Sequence, residues 1–287
     1  MNAVYALAQA AHFLCLMLLF GGGAFALLLK RQGRAVPSGV FTRNEQLGLV
    51  AAALVLTLLA FFHTAAAMSG EGLFRLTPGV THRVLFDTRF GYMAAVQFAL
   101  LLGLLAILLL WHRSVQAWCA AVGGFSLAAL AVTSHAAAAI AVGGAVDAVH
   151  LLAAGFWIGG LAVLLRIVMR DKGGDGRLHV LRTFSLWGTL AVAALVVAGI
   201  ANAMIILLPA EGAPSYSWLT LLGFKLVLAA FMIALALTNR LSLVPRMAEG
   251  DIEADQTLVW SMTAEIALGV IVVILAGFLG LSSPMAS

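Results

Sequence analysis

Long apolar runs separated by short polar segments dominate the sequence. Each run is about 20 residues long, the length that a helix needs to cross a hydrocarbon core of about 30 Å. Because lipid offers no hydrogen-bond partners, each run must satisfy its own backbone and is predicted to be helical. The pattern predicts an all-α, polytopic membrane helix bundle with about eight transmembrane helices, in a single membrane domain over residues 1–287. The predicted spans are 3–29, 46–68, 90–110, 115–138, 145–168, 183–208, 218–239 and 256–281.

Composition agrees with this interpretation and excludes a soluble globular domain. Of the 287 residues, 63% are hydrophobic and 10% are charged, whereas a soluble domain carries about 25% charged residues. The first apolar stretch has no basic segment before it and runs straight into Lys30 and Arg31. It is therefore interpreted as a retained first span and not as a cleaved signal peptide.

The positive charges follow an alternating pattern along the loops. Twelve of the 16 Lys and Arg residues lie in the first, third, fifth and seventh loops or at their edges. The positive-inside rule places those loops in the cytoplasm. The pattern predicts a multi-pass membrane protein with both termini on the outer side, which is the periplasm for a protein of the cell inner membrane. It also explains the formal net charge of +4 without a nucleic-acid partner.

The first and fifth spans resemble each other. His12 is followed nine residues later by Gly21, and His150 is followed at the same spacing by Gly159. The offset of 138 positions predicts two parallel four-helix repeats, in which His12 and His150 face one another across the bundle. The alternative is chance similarity between spans rich in Leu, Ala and Gly. The predicted halves are about 1–140 and 141–287.

Four histidines are predicted to lie within spans, all toward the outer end: His12, His63, His135 and His150. Polar groups inside a bilayer are costly, so four imidazoles at one depth indicate a site facing the bundle interior. Imidazole binds copper, zinc, iron and nickel well. The four histidines are the candidate metal ligands. The alternative for each is a packing histidine that is hydrogen-bonded to a neighbouring helix.

Other polar and sulfur-bearing residues surround this candidate site in the sequence. Asp147 lies one turn before His150 and is either an acceptor that orients the imidazole or an anchor at the end of the span. Lys225 and Glu265 lie inside spans, where pairing would stabilise two costly charges. Candidate soft ligands, each also explicable as core filler, are Cys15, Met68, Met93 and Met204.

Two further features of the sequence concern helix packing and the class of function. Gly155, Gly159 and Gly160 permit close helix approach and lie on the side of span five opposite His150, so they are interpreted as packing residues. His150, Ala154 and Trp157 share the other stripe. The sequence has no Walker loop, Rossmann fingerprint, CxxC or nucleophile elbow, which favours a protein that is not an enzyme.

Several of these polar positions together resemble the copper resistance protein D family. Asp147, His150 and Trp157 followed by Gly-Gly-Leu resemble its D-x-x-H…W-x-G-G-L signature, although Ser217 stands where a glycine commonly follows the tyrosine. The resemblance covers most of the chain and is strongest from Asp147 onward. Further matching segments are Asp87-Thr88-Arg89-Phe90-Gly91, Phe184-Ser185, Tyr216…Leu219…Lys225 and Asn239-Arg240…Pro245.

The resemblance implies an inner-membrane protein of copper homeostasis that moves copper from the periplasm toward the cytoplasm. On this hypothesis the chain captures copper at His12, His63, His135 and His150, for inward transport or for delivery, with a periplasmic copper carrier as a partner. One alternative is a haem b-binding redox protein in which two of the same histidines are axial ligands. Another is an assembly subunit that transports nothing itself.

Overall fold

The computed structural model of the protein describes residues 3–32, 39–70, 72–111, 115–140, 142–170, 175–208 and 213–285. It is an all-α bundle, as predicted. A 3₁₀ turn at Leu73–Arg75 precedes α3, and a π-helical turn at Asn239–Leu243 joins α9 to α10. The helices are α1 (Ala3–Arg31), α2 (Arg43–Ser69), α3 (Pro78–Asp87), α4 (Arg89–Leu110), α5 (Val115–Ala131), α6 (His135–Ala139), α7 (Gly143–Arg170), α8 (Asp175–Leu207), α9 (Tyr216–Thr238), α10 (Val244–Ala248) and α11 (Ile252–Leu281).

Seven of the described helical segments are long and apolar enough to cross a membrane, and they match seven of the eight predicted spans. The remaining span, predicted over 115–138, is shorter: α5 has 17 residues and ends at Ala131. The chain breaks there because Thr133 donates its hydroxyl to the carbonyl oxygen of Leu130, while Ser134 caps a new helix. Such hydroxyl groups compete with the helical backbone for hydrogen bonds.

Several helices start before their predicted spans, by one to eight residues. α8 begins at Asp175, eight residues before the predicted start of its span, so Arg177 and Arg182 lie on its first turns and not in a loop. α4 begins at Arg89 because the Thr88 hydroxyl accepts a hydrogen bond from the backbone N–H of Gly91. In α8 a polar first turn extends the helix beyond its apolar run.

The bundle is built around α1 and α7, the two most buried spans. They cross at the glycines that the sequence singled out: a Cβ on Gly21 would lie 2.1 Å from the carbonyl oxygen of Gly155, and one on Gly159 would lie 2.2 Å from that of Met17. Only glycine permits this backbone contact. The interpretation of these glycines as packing residues is confirmed. α1 also packs against α2, α5 and α11.

Arginines join helices at the end of the bundle where the basic loops lie. Arg43 donates to the carbonyl oxygens of Leu108 and Leu109 at the end of α4, at 2.5 and 2.7 Å. Arg166 forms an ion pair with Glu45 at 2.8 Å. These contacts satisfy helix-terminal carbonyl groups and hold the first and last turns of neighbouring spans together.

Candidate functional site

His12 is a buried side chain at the contact between α1 and α2. Its Nε2 lies 3.1 Å from the hydroxyl oxygen of Thr57, and that hydroxyl donates to the carbonyl oxygen of Ala53 at 2.8 Å. Because the hydroxyl hydrogen is used there, the imidazole is the donor to Thr57. His12 therefore joins two helices of the first half, with Nδ1 as its remaining acceptor nitrogen.

His63 lies on α2, partly buried beside the start of α1. Its ring stacks on that of Tyr5, with the ring centroids 3.5 Å apart and the planes inclined by 9°. The Tyr5 hydroxyl in turn lies 3.4 Å from that of Thr64. The contacts of His63, like those of His12, lie within the first half of the chain.

His135 lies outside the span in which the sequence analysis placed it. It is the first residue of the short helix α6, beyond the end of α5, and its side chain is exposed. The prediction that His135 lies within the helix of the fourth span is corrected here. The cause is the helix break at Thr133 and Ser134, which the apolar composition of this segment concealed.

His150 lies on α7 and faces α8. Its Nδ1 is 3.2 Å from the carbonyl oxygen of Leu195, and its ring packs against Gly199, where a Cβ would lie 3.1 Å from Cε1. A carbonyl oxygen only accepts hydrogen bonds, so Nδ1 carries the proton. In the neutral ring, Nε2 then keeps its lone pair.

The rings of His12 and His150 do not face one another, contrary to the expectation from the repeat. In each helix the histidine and the contacting glycine are nine residues apart, which is two and a half turns. They therefore lie on opposite sides of their helix. Because the glycine sides of α1 and α7 meet, the imidazoles point outward, His12 toward α2 and His150 toward α8.

The two histidine contacts still correspond under the predicted repeat. His12 contacts Thr57 and His150 contacts Leu195, so both contacts join positions 45 apart. The offset of 138 relates Thr57 to Leu195 as it relates the histidines. The division into two related halves stays a prediction.

Asp147 connects α7 with α8 and α9 at the end of the bundle opposite the basic loops, which is the outer end in the predicted orientation. It accepts a hydrogen bond from Nδ2 of Asn202 on α8 at 2.9 Å and another from the side chain of Ser134, and it interacts electrostatically with Lys225 of α9 and with His135. Lys225 also interacts electrostatically with His150. We call Ser134, His135, Asp147, His150, Asn202 and Lys225 the outer polar cluster.

Two roles were considered for Asp147 from the sequence: an acceptor that orients the imidazole of His150, and an anchor at the end of the span. The contacts of Asp147 fit the anchor. Its hydrogen bonds go to Asn202 and Ser134, whereas the imidazole of His150 is oriented by a backbone carbonyl group. Sequence reasoning missed Ser134 as a partner. The available signal was a hydroxyl pair at the end of an apolar run, which is typical of a helix end.

Within the described ranges, the structure brings together no group of three or more His, Cys, Asp and Glu residues that could hold a metal ion. The four candidate histidines are divided between two places, His12 and His63 on α1 and α2, His135 and His150 in the outer polar cluster. Of the candidate sulfur ligands, Met68 and Met204 are exposed, 56% and 52% respectively. Cys15 is half-buried on α1.

A second polar group lies deeper in the same half of the bundle. Glu265 of α11 is 2% exposed. One of its oxygens accepts from Nε1 of Trp157 at 2.8 Å, and the other accepts from Nδ2 of Asn239 at 3.2 Å. The suggested pairing of Glu265 with Lys225 is therefore not formed, because Lys225 interacts with Asp147 instead. We call Trp157, Asn239 and Glu265 the inner polar group.

Two family models match the chain and together cover most of it. One, described as copper resistance protein D-like, N-terminal domain, matches residues 1–145. The other, described as copper resistance protein D, matches residues 178–279. The chain belongs to the copper resistance protein D family. The resemblance recognised in the sequence is thereby confirmed.

Three relatives align along nearly the whole chain. Inner membrane protein YebZ of Escherichia coli (strain K12) is 29% identical over 95% of this chain and 96% of its own length. Copper resistance protein D of Pseudomonas syringae pv. tomato is 28% identical over 94% and 93%. Copper transport protein CutJ of Bacillus subtilis (strain 168) is 30% identical over 93% of this chain and 50% of its own length. No solved structure matches the chain.

Some residues of the two polar sites fall within the segments that match the copper resistance protein D family models, and others fall between those segments. Lys225, Asn239 and Glu265 fall within the second match. His150 and Trp157 fall in the segment between the two matches. α7, which runs through most of the segment between the two matches, thus contributes to both sites, Asp147 and His150 to the outer polar cluster and Trp157 to the inner polar group.

Proposed function

We propose that this protein is a copper-homeostasis protein of the inner membrane, which captures copper in the outer half of the bilayer for inward transport or delivery. Its family membership supports copper as the cargo, and its relatives include proteins named for copper resistance and copper transport. Seven long apolar helices, and a relative named as an inner membrane protein, support the location. A periplasmic copper carrier would supply the metal.

The observation that supports this proposal best is the state of His150. Histidines that bind metals usually donate their other ring N–H to a carbonyl or carboxylate oxygen, which fixes the tautomer and makes the ligand nitrogen more basic. The Leu195 carbonyl oxygen holds Nδ1 of His150 in this way, at 3.2 Å. Nε2 is then available for copper, a metal that binds imidazole well.

The rest of the outer polar cluster supports capture at the same place. His135 is exposed and close enough to Asp147 for electrostatic interaction, so it offers a second imidazole at the entrance. Asp147 supplies a negative charge that attracts a cation. Lys225 offsets that charge while no metal is bound, because it interacts with both Asp147 and His150.

His12 and His63 remain proposed ligands of the first half. His12 would have to bind through Nδ1, because its Nε2 donates to Thr57. His63 would have to leave its stack on Tyr5. We therefore assign initial capture to His135 and His150, with His12 and His63 receiving copper only after a rearrangement.

The test of the proposed function is metal analysis combined with an optical spectrum of the purified full-length protein. We expect stoichiometric binding of Cu(I), competed by a copper chelator, and no Soret band. A strong Soret band that persists in the presence of copper chelators would assign the histidines to haem b. A protein that binds neither copper nor haem would contradict both.

The proposed orientation has its own test, which uses single cysteines in a background with Cys15 and Cys119 replaced by alanine. Gly72 lies in the second loop and Glu249 in the seventh, and both are exposed. In intact spheroplasts, a membrane-impermeant maleimide is expected to label Gly72→Cys and not Glu249→Cys, because the seventh loop is cytoplasmic by the positive-inside rule. Labelling of Glu249→Cys without permeabilisation would reverse the orientation.

A further inference from the structure

The inner polar group contains a buried carboxyl group without a cationic partner. Each of the three ion pairs among the described residues joins an arginine to a carboxylate other than Glu265. An ionised carboxylate in an apolar interior costs several kcal/mol even when neutral groups donate hydrogen bonds to it. A bound proton or an approaching cation removes that cost.

Asn239 can form a hydrogen bond with Glu265 whether the carboxyl group is ionised or protonated. It is 8% exposed, and its Oδ1 is buried without a hydrogen-bond partner. With Nδ2 toward Glu265, the amide donates to a carboxylate at 3.2 Å. Rotated by half a turn, the same amide presents Oδ1, which accepts the proton of a carboxylic acid. The unpartnered oxygen is the group that the protonated state requires.

A cavity of about 110 Å³ lies beside these side chains and provides space for a proton route. It has room for several water molecules. Arg240, on the same π-helical turn as Asn239, lines this cavity and also a second one of about 330 Å³, which includes Arg182 and Pro245 of the basic end. Arg240 donates to Thr189 and to the carbonyl oxygen of Ser185, at the boundary between the two cavities.

The lining favours a proton over a metal ion as the occupant. Both oxygens of Glu265 already accept an N–H group. Asn239 Oδ1 is an uncommitted side-chain oxygen beside them, and the lining is otherwise largely apolar, with Met262 as its thioether. Sodium or magnesium would require several more oxygen ligands. The only other charged group in this lining is Arg240.

We propose that Glu265 and Asn239 form a proton-binding site that opens toward the basic, cytoplasmic end. We further propose that copper entering along the face of α7 that carries His150 and Trp157 displaces this proton. The proposal rests on the proposed function, since it takes copper as the cargo. In the displacement, Glu265 changes from acid to carboxylate and its proton passes to water in the cavity. The monovalent charge of Cu(I) replaces that of the proton, so the net charge of the bundle is unchanged.

The link between the two sites is α7. His150 and Trp157 are seven residues apart on one stripe of this helix, about 10 Å along its axis. Trp157 donates directly to Glu265, whereas His150 is the proposed copper ligand. A cation bound at His150 therefore lies on the same face of α7 as the contact between Trp157 and Glu265. The interior between them has a low dielectric constant, so the cation and the carboxyl group interact strongly.

Infrared spectroscopy of the copper-free protein tests the proton site separately from copper. During a pH titration we expect a C=O stretch of a protonated carboxylic acid that appears and disappears in the parent protein, in addition to the bands of the other carboxyl groups, and that is missing from Glu265→Gln. Glu253→Gln changes an exposed carboxyl group on the first turn of the same helix and keeps the band. If no band titrates, or if Glu265→Gln retains the titrating band, the proton site is refuted, whatever the protein transports.

Proton release tests the coupling. On addition of Cu(I) to weakly buffered protein, a pH-sensitive dye should report about one proton released per copper bound, as metal binding at a protonated site requires. Glu265→Gln is expected to bind copper and release almost none, while Glu253→Gln behaves like the parent. Equal proton release from both variants would overturn the coupling. A titrating band without any copper binding would refute the proposed function and leave the proton site standing.

Discussion

Replacing His150 with alanine is expected to lower the copper affinity of the purified protein by about a hundredfold or more, since loss of a residue that merely orients a ligand costs 10–100-fold. The imidazole is held by the Leu195 carbonyl oxygen with Nε2 available. No other side chain of α7 within a turn of His150 offers a nitrogen. The measurement is a competition titration with a Cu(I) chelator of known affinity.

His82→Ala is the matched control for this substitution. His82 is an exposed histidine on α3 whose ring is tilted against that of Phe86, and it is not one of the proposed ligands. Its loss should leave copper binding unchanged. If His82→Ala and His150→Ala weaken copper binding equally, the effect is not specific to the outer polar cluster and the assignment of His150 fails.

In the same assay, Lys225→Met is expected to raise the copper affinity of the protein. Lys225 interacts electrostatically with His150 and Asp147. Removing its charge removes a repulsion of Cu(I) and leaves Asp147 uncompensated, so both changes favour the bound cation. We expect tighter copper binding, whereas Lys30→Met, at the exposed end of α1, has no effect. Weaker binding in Lys225→Met would refute the proposed opposition between Lys225 and the metal.

Gly159→Val is expected to have the largest effect on folding. The added Cβ would lie 2.2 Å from the carbonyl oxygen of Met17 and 2.9 Å from Cα of Gly21. Both neighbours are backbone atoms, so the two most buried helices must separate to accommodate it. We expect a loss of about 3 kcal/mol or more in stability and a fall of roughly 10 °C in the unfolding midpoint in detergent.

Gly103→Val separates this packing effect from the general cost of losing a glycine. Gly103 lies on α4, with open space where its Cβ would be. The same substitution there should change neither the folded yield after size-exclusion chromatography nor the unfolding midpoint. A Gly159→Val protein with the yield and midpoint of the parent would show that α1 and α7 do not meet as described.

Much of the fold was determined by the sequence alone, because lipid imposes a simple rule on it. An apolar run long enough to cross the bilayer must be a helix, and seven of the eight predicted spans are long apolar helices. The packing role of Gly155, Gly159 and Gly160 followed from residue size. Family membership followed from spaced polar residues, such as Asp147 and His150, which are too costly in lipid to occur there by chance.

Which polar residues meet was decided only by the tertiary structure. Trp157 and Glu265 are 108 positions apart, and Asn202 and Asp147 are 55 apart, so no local pattern relates them. The sequence showed that the glycines of α7 lie opposite His150, but not that they meet the glycine of α1. That contact turns His12 and His150 away from each other. The direction of a side chain depends on which helix packs beside it, and packing between helices depends on the shape of both partners.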